Sequence, residues 1–116
     1  SMKYLCKFHG EVDGISEGHR LRCRRCRGVR TMRAKRRRKV ELVNMLGGKC
    51  KKCKYSKCLW ALDFHHRDKN EKSFSIGQRL GRFAKSKLIE EAKKCDLLCR
   101  NCHAEVEYEE EFVLLL

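Results

Sequence analysis

Two adjacent histidines, His65 and His66, close the mostly apolar run Leu59-Trp60-Ala61-Leu62-Asp63-Phe64. A third, His103, directly follows the pair Cys99-x2-Cys102 later in the chain. Imidazole ligates metals and accepts a proton near neutrality, its ordinary pKa being about 6.5. Tandem imidazoles and a Cys-Cys-His run have little structural use unless the two segments meet in space. If they meet, a metal with catalytic work is expected there, beside cysteines that hold the scaffold. Singly, each histidine has a plainer reading: His65 or His66 as a polar strand end, His103 as a ligand in a Cys-x2-Cys-His knuckle. Haem attachment through that knuckle would call for an export signal, and no such pattern is seen.

The elements that must position these residues belong to a chain with little apolar material. Of 116 residues, 38% are charged, nine are cysteine and none is proline. Such a composition predicts one domain with a small satellite unit, its core completed by staples. An odd cysteine count in Cys-x2-Cys pairs, with no signal-peptide pattern and no long apolar segment, favours thiolate ligation of zinc in the cytosol over a disulfide framework. Ser1-Met2 reads as a cloning remnant before a native start.

Lysine and arginine total 29 against 15 acidic residues, a net charge of +14, which predicts a polyanionic partner such as DNA; with no long apolar segment in view, no membrane is expected. The basic residues crowd the stretch from Arg20 to Lys39, whereas Glu105, Glu107, Glu109, Glu110 and Glu111 make the C-terminal segment acidic. Phosphate contact is therefore expected from the first half, through Arg33, Arg36, Arg37 and Arg38 above all.

Residues 1–30 read as a zinc-ribbon-like unit. Cys6-x2-His9 and Cys23-x2-Cys26 supply four ligands, and the few apolar residues between and beside them (Leu5, Phe8, Val12, Ile15, Leu21) could be ordered by the metal. Residues 31–48 read as a basic linker helix, N-capped by Thr31, carrying the apolar stripe Val40, Val43 and Leu46, and ended by Gly47-Gly48. Residues 49–116 hold the chemistry. Cys50-x2-Cys53 and Cys99-x2-Cys102 form a second structural zinc site, closed to catalysis by its four thiolates. Cys58 and Cys95 are left over; they are expected to be buried, the alternative being that one displaces a proposed zinc ligand.

Residues 59–66 have strand composition, with Leu62, Phe64 and His66 on one face and Asp63 and His65 on the other. Both histidines serve one site only if the strand ends or bends there, and the polar stretch 67–72 suggests a loop. A short helix is predicted over 86–94, an extended piece at Leu97-Leu98 and a second helix from Arg100 to about Leu114, where His103 and Glu107 share a side one turn apart. The apolar tail Phe112 to Leu116 is expected to pack within the chain, the alternative being that it seeds a dimer contact.

The ordered run Cys-x2-Cys, Leu62-Asp63-Phe64-His65-His66-Arg67-Asp68, then Cys95-Asp96-Leu97-Leu98-Cys99-Arg100-Asn101-Cys102-His103-Ala104-Glu105 resembles the HNH endonuclease family, in its small bacterial and phage members with a four-cysteine zinc site. The resemblance covers about residues 47–108. It implies a zinc-stabilised α+β protein with a ββα-metal core, the histidine pair on a hairpin and a helix supplying further ligands. It also implies DNA phosphodiester hydrolysis with one divalent cation, Mg²⁺ or Mn²⁺, with Ni²⁺ or Zn²⁺ as further options. By position, His65 is then a metal ligand, His66 the general base and His103 the ligand from the helix. Glu107 departs from the family's usual His or Asn; it is either a hard oxygen ligand or surface charge with water in its place. Asn101 either orients the His66 loop or begins the helix, and Asp63 either supports an imidazole or faces solvent.

The expected function is thus a metal-dependent DNA endonuclease of the bacterial host cytosol, phage-encoded, with phage packaging proteins as neighbours by the same resemblance. The alternative is a noncatalytic zinc-finger DNA-binding or regulatory module that keeps the same scaffold. RNA binding or cleavage is a third, since net charge alone does not separate the nucleic acids. No spacing in the chain sets an oligomeric state.

Overall fold

The computed structural model describes residues 2–116, and the chain forms two units, Ser1–Arg36 and Arg37–Leu116. Among the described residues they give a small α+β arrangement with two antiparallel sheets and four helices.

In the first unit, β1 (Lys3–Cys6), β2 (Gly10–Glu17) and β3 (Arg20–Cys23) form an antiparallel meander in that order, with Tyr4 opposite Val12 and Ile15 opposite Arg22. The apolar residues expected to be ordered by metal contribute unevenly. Leu5 and Phe8 lie largely in solvent, Val12, Ile15 and Leu21 are half-buried, and the buried positions are Cys6 and Cys23. A cysteine cluster occupies the place of an apolar core.

Helix α1 runs over Arg24–Met45, seven residues earlier than expected from a cap at Thr31. Thr31 is an interior helical residue whose hydroxyl donates to the Arg27 carbonyl at 3.0 Å. The physical reason is the Cys23-x2-Cys26 knuckle, where the Cys26 N–H donates to Cys23 Sγ at 3.4 Å, so the knuckle itself serves as the first turn. Residues 37–45 of α1 belong to the second unit. Gly47 (φ 105°) and Gly48 (φ 73°) end the helix as expected, with Gly48 N–H returning to the Val43 carbonyl at 2.9 Å.

The second unit is built on β4 (Leu62–His66) and β5 (Cys95–Cys99), paired antiparallel with Leu62 opposite Cys99 and His66 opposite Cys95. A 3₁₀ turn, Leu59–Ala61, leads into β4, so the strand is shorter than its composition suggests. β5 passes without a loop into α4 (Arg100–Leu115), whose N-cap is Cys99. Between the strands lie α2 (Ile76–Arg79), too short for any periodicity to announce, and α3 (Lys85–Ala92). One apolar cluster joins Val43, Leu62, Leu97 and Leu98 to Cys50, Cys99 and Cys102; another joins Leu42, Ile76, Leu80, Leu88, Ala92 and Cys95. Phe64 packs against both clusters. The tail does not pack as expected: α4 carries it outward, and Leu114, Leu115 and Leu116 are exposed. Of the two spare cysteines, Cys95 is buried as expected, whereas Cys58 is exposed.

Candidate metal centres and the histidine face

Two sets of ligand atoms converge among the described residues: Cys6, His9, Cys23 and Cys26 in the first unit, and Cys50, Cys53, Cys99 and Cys102 in the second, each within 4.8 Å. Tetrahedral zinc with Zn–S near 2.3 Å sets neighbouring sulfurs about 3.8 Å apart and a sulfur and an imidazole nitrogen about 3.5 Å apart. His9 Nδ1 lies 3.5, 3.5 and 3.4 Å from the sulfurs of Cys6, Cys23 and Cys26. Cys6 and Cys26 are 3.5 Å apart, and Cys53 and Cys99 3.7 Å. Both sets therefore could hold zinc.

The backbone is arranged for thiolates. Phe8 N–H donates to Cys6 Sγ at 3.3 Å, and Cys53 and Cys102 donate to Cys50 and Cys99 at 3.5 Å each. Burial raises the Cys6 thiol, but the backbone N–H of Phe8 and the His9 contacts outweigh it and bring the thiol down to about 6. The same balance, led by burial and overcome by the backbone N–H groups of Cys53 and Cys99, brings Cys50 to about 6. Their neighbours move the other way: the hydrogen bond to Cys6 and burial push Cys26 up to about 11, and the bond to Cys99 and burial push Cys102 up to about 12. Sulfurs so close, three in the first set and four in the second, ionise together only around a cation.

The histidines divide between the two faces of β4. Its pairing runs regularly through His66, where the strand ends, and the Arg67 N–H still reaches the Lys94 carbonyl at 3.1 Å, so the pair keeps the strand's alternation and the two rings point to opposite faces. His65 and Asp63 face α4. Asp63 Oδ2 is 3.2 Å from His103 Nδ1, Glu107 Oε1 is 3.0 Å from His103 Nε2, and the His65 and His103 rings meet edge to face with centroids 5.5 Å apart. His65 Nε2 lies 3.8 Å from Glu110 Oε1, and Lys69 Nζ pairs with the other Glu110 oxygen at 2.6 Å. These side chains are partly open to solvent. His65, His103 and Glu107 share this face, though their ligand atoms do not close into a third converging set among the described residues. Asn101 is exposed on the first turn of α4.

His66 points the other way. Its side chain is buried, and Nε2 lies 2.7 Å from Glu91 Oε2 on α3. Burial works against the Glu91 charge, yet Lys94 Nζ at 2.9 Å, the Ser73 N–H at 2.9 Å and His66 together lower its pKa to about 2. Sequence reasoning overlooked Glu91, although a signal was present: it sits between Leu88 and Ala92 on the buried face of α3, a place where an acid needs a partner. Glu110 was overlooked as well; it follows His103 and Glu107 along one face of α4.

No protein-family model, no curated protein and no solved structure matches the chain. Among the described residues no helix is long and apolar enough to cross a membrane.

Proposed function

We propose that the chain is a metal-dependent endonuclease of the HNH type, acting on DNA phosphodiester bonds. The observation that carries this reading is the unit β4–β5–α4, in which an antiparallel strand pair runs directly into a helix and sets Asp63 and His65 against His103. The cysteine set at the start of α4 supports it by anchoring the helix through Cys99 and Cys102.

Either nitrogen of His103 already meets a carboxylate, which suits a histidine metal ligand. One carboxylate holds the ring and fixes its tautomer while the other nitrogen is given to the metal. In this reading His103 and Glu107, with His65, hold a hard divalent cation, and Asp63 orients His103 through Nδ1. Such an ion supplies charge neutralisation at the scissile phosphate and the leaving oxygen. The remaining work falls to the protein: a neutral imidazole takes a proton from the attacking water.

Which of the tandem histidines does this has two readings. His66 as the base is what the resemblance implies, and its hydrogen bond to Glu91 would fix the ring's orientation, but its imidazole is buried on the face of β4 opposite His103. His65 as the base, which would leave the cation to His103 and Glu107, is favoured by its position on the partly open face beside His103. Plasmid cleavage by His65→Ala and His66→Ala, each checked for fold by zinc content, separates them: the base variant loses turnover while DNA binding stays. Phosphate contact is assigned to Arg33, Arg36 and Arg37, all exposed on α1. Arg38 is partly occupied, donating to the Phe83 carbonyl at 2.6 Å.

A further inference from the structure

Lys39 is a charged residue on the buried side of α1, in helical register with Leu42, Val43 and Leu46, and only 9% exposed. Its Nζ donates to the Trp60 carbonyl at 3.2 Å and lies 4.6 Å from the centroid of the Trp60 ring. Arg100, exposed at the first position of α4, brings a guanidinium nitrogen to 3.5 Å from the same carbonyl. Two full positive charges thus share one neutral oxygen. Neither forms an ion pair with a carboxylate among the described residues. The carboxylate that acts on Lys39 through space is Asp63, whose Oδ2 is engaged with His103.

An ammonium withdrawn from water is costly unless an anion answers it, and a second cation beside it adds repulsion. An ammonium with donors to spare and a forked guanidinium, converging from two helices, match the oxygens of a phosphate group. We propose that Lys39 and Arg100 form a phosphate-binding subsite next to the Asp63–His103 pair, positioning one phosphate of the nucleic-acid substrate there. This deepens the nuclease reading and rests on it for the identity of the substrate. Lys39 and Arg100 are positioning residues, and Trp60 forms the wall over Lys39.

Trp60 is the single tryptophan of the chain, so its fluorescence reports on this place alone. The full-length, zinc-loaded protein is titrated with pyrophosphate, with chloride at matched ionic strength as control. A saturable change in Trp60 emission is expected in the wild type. It should require at least tenfold more pyrophosphate in Lys39→Met and in Arg100→Gln, with recovery in Lys39→Arg. Arg100 is exposed, so its variant carries the test if Lys39→Met fails to fold. An emission insensitive to pyrophosphate, or equally sensitive in the wild type and Arg100→Gln, overturns the subsite. Cleavage of DNA by a protein whose Trp60 does not respond would reject the subsite and leave the nuclease; a Trp60 response without cleavage in any metal would support the subsite and reject the nuclease.

Discussion

His66 and Glu91 are joined by a 2.7 Å hydrogen bond inside the second unit, while the adjacent His65 faces His103 across the opposite side of the same strand. The alternation of a regular strand causes this division, and it assigns neighbouring imidazoles to different surroundings. One is a buried partner of a carboxylate that also accepts from Ser73 and Lys94. The other lies in a partly open group with Asp63, His103, Glu107 and Glu110.

Glu91 makes the stability of the second unit acid-sensitive. Its carboxyl is lowered from an ordinary 4.5 to about 2, so the stabilisation is complete above about 4.5 and is lost as the pH falls from there toward 2. Glu91→Gln should cost about 3–5 kcal/mol at neutral pH, the range for removing one member of a buried pair. The difference from wild type should shrink on acidification. Urea unfolding of both proteins at several pH values between 7 and 3 checks this, and a constant difference would show that the Glu91 charge contributes nothing.

Zinc content should respond to each cysteine set separately. Metal analysis of the purified protein should find two zinc ions per chain, and Cys23→Ser or Cys99→Ser should each leave one. Because metal binding supplies folding free energy to small units, Cys23→Ser should also remove the protection of β1–β3 amides from hydrogen exchange while β4 and β5 keep theirs. Unchanged protection of the first sheet would mean that its strands hold without metal.

The arginines of α1 should act through charge. Changing Arg33, Arg36 and Arg37 together to Gln should reduce the slope of log affinity against log salt by roughly 3, if each neutralises one phosphate. The loss should be the same for unrelated duplex sequences. Binding isotherms at several salt concentrations measure it, and an unchanged slope would remove α1 from the interface.

Much of this was legible in the residues, and the gaps have physical causes. The cysteine spacings indicate both metal sets, since two Cys-x2 pairs have few other uses in a chain this polar. The alternation of Leu62 to His66 predicts β4 and its two faces. Thr31 misleads because a hydroxyl before helix formers has the appearance of a cap, whereas the knuckle at Cys23 starts the helix earlier. Glu91 and Lys39 were missed for a common reason: each is a charged residue on the apolar side of a helix, and partners such as His66 and Trp60, distant in sequence, decide its role.

The most direct test is cleavage of supercoiled plasmid by the purified protein with Mg²⁺ or Mn²⁺ against EDTA, alongside His103→Ala. Metal-dependent nicking or linearisation is predicted, falling by at least about 100-fold in the variant, which should retain its zinc and its DNA affinity. DNA bound but left intact in every metal, or cut equally well by His103→Ala, would contradict the assignment of this site to phosphodiester hydrolysis.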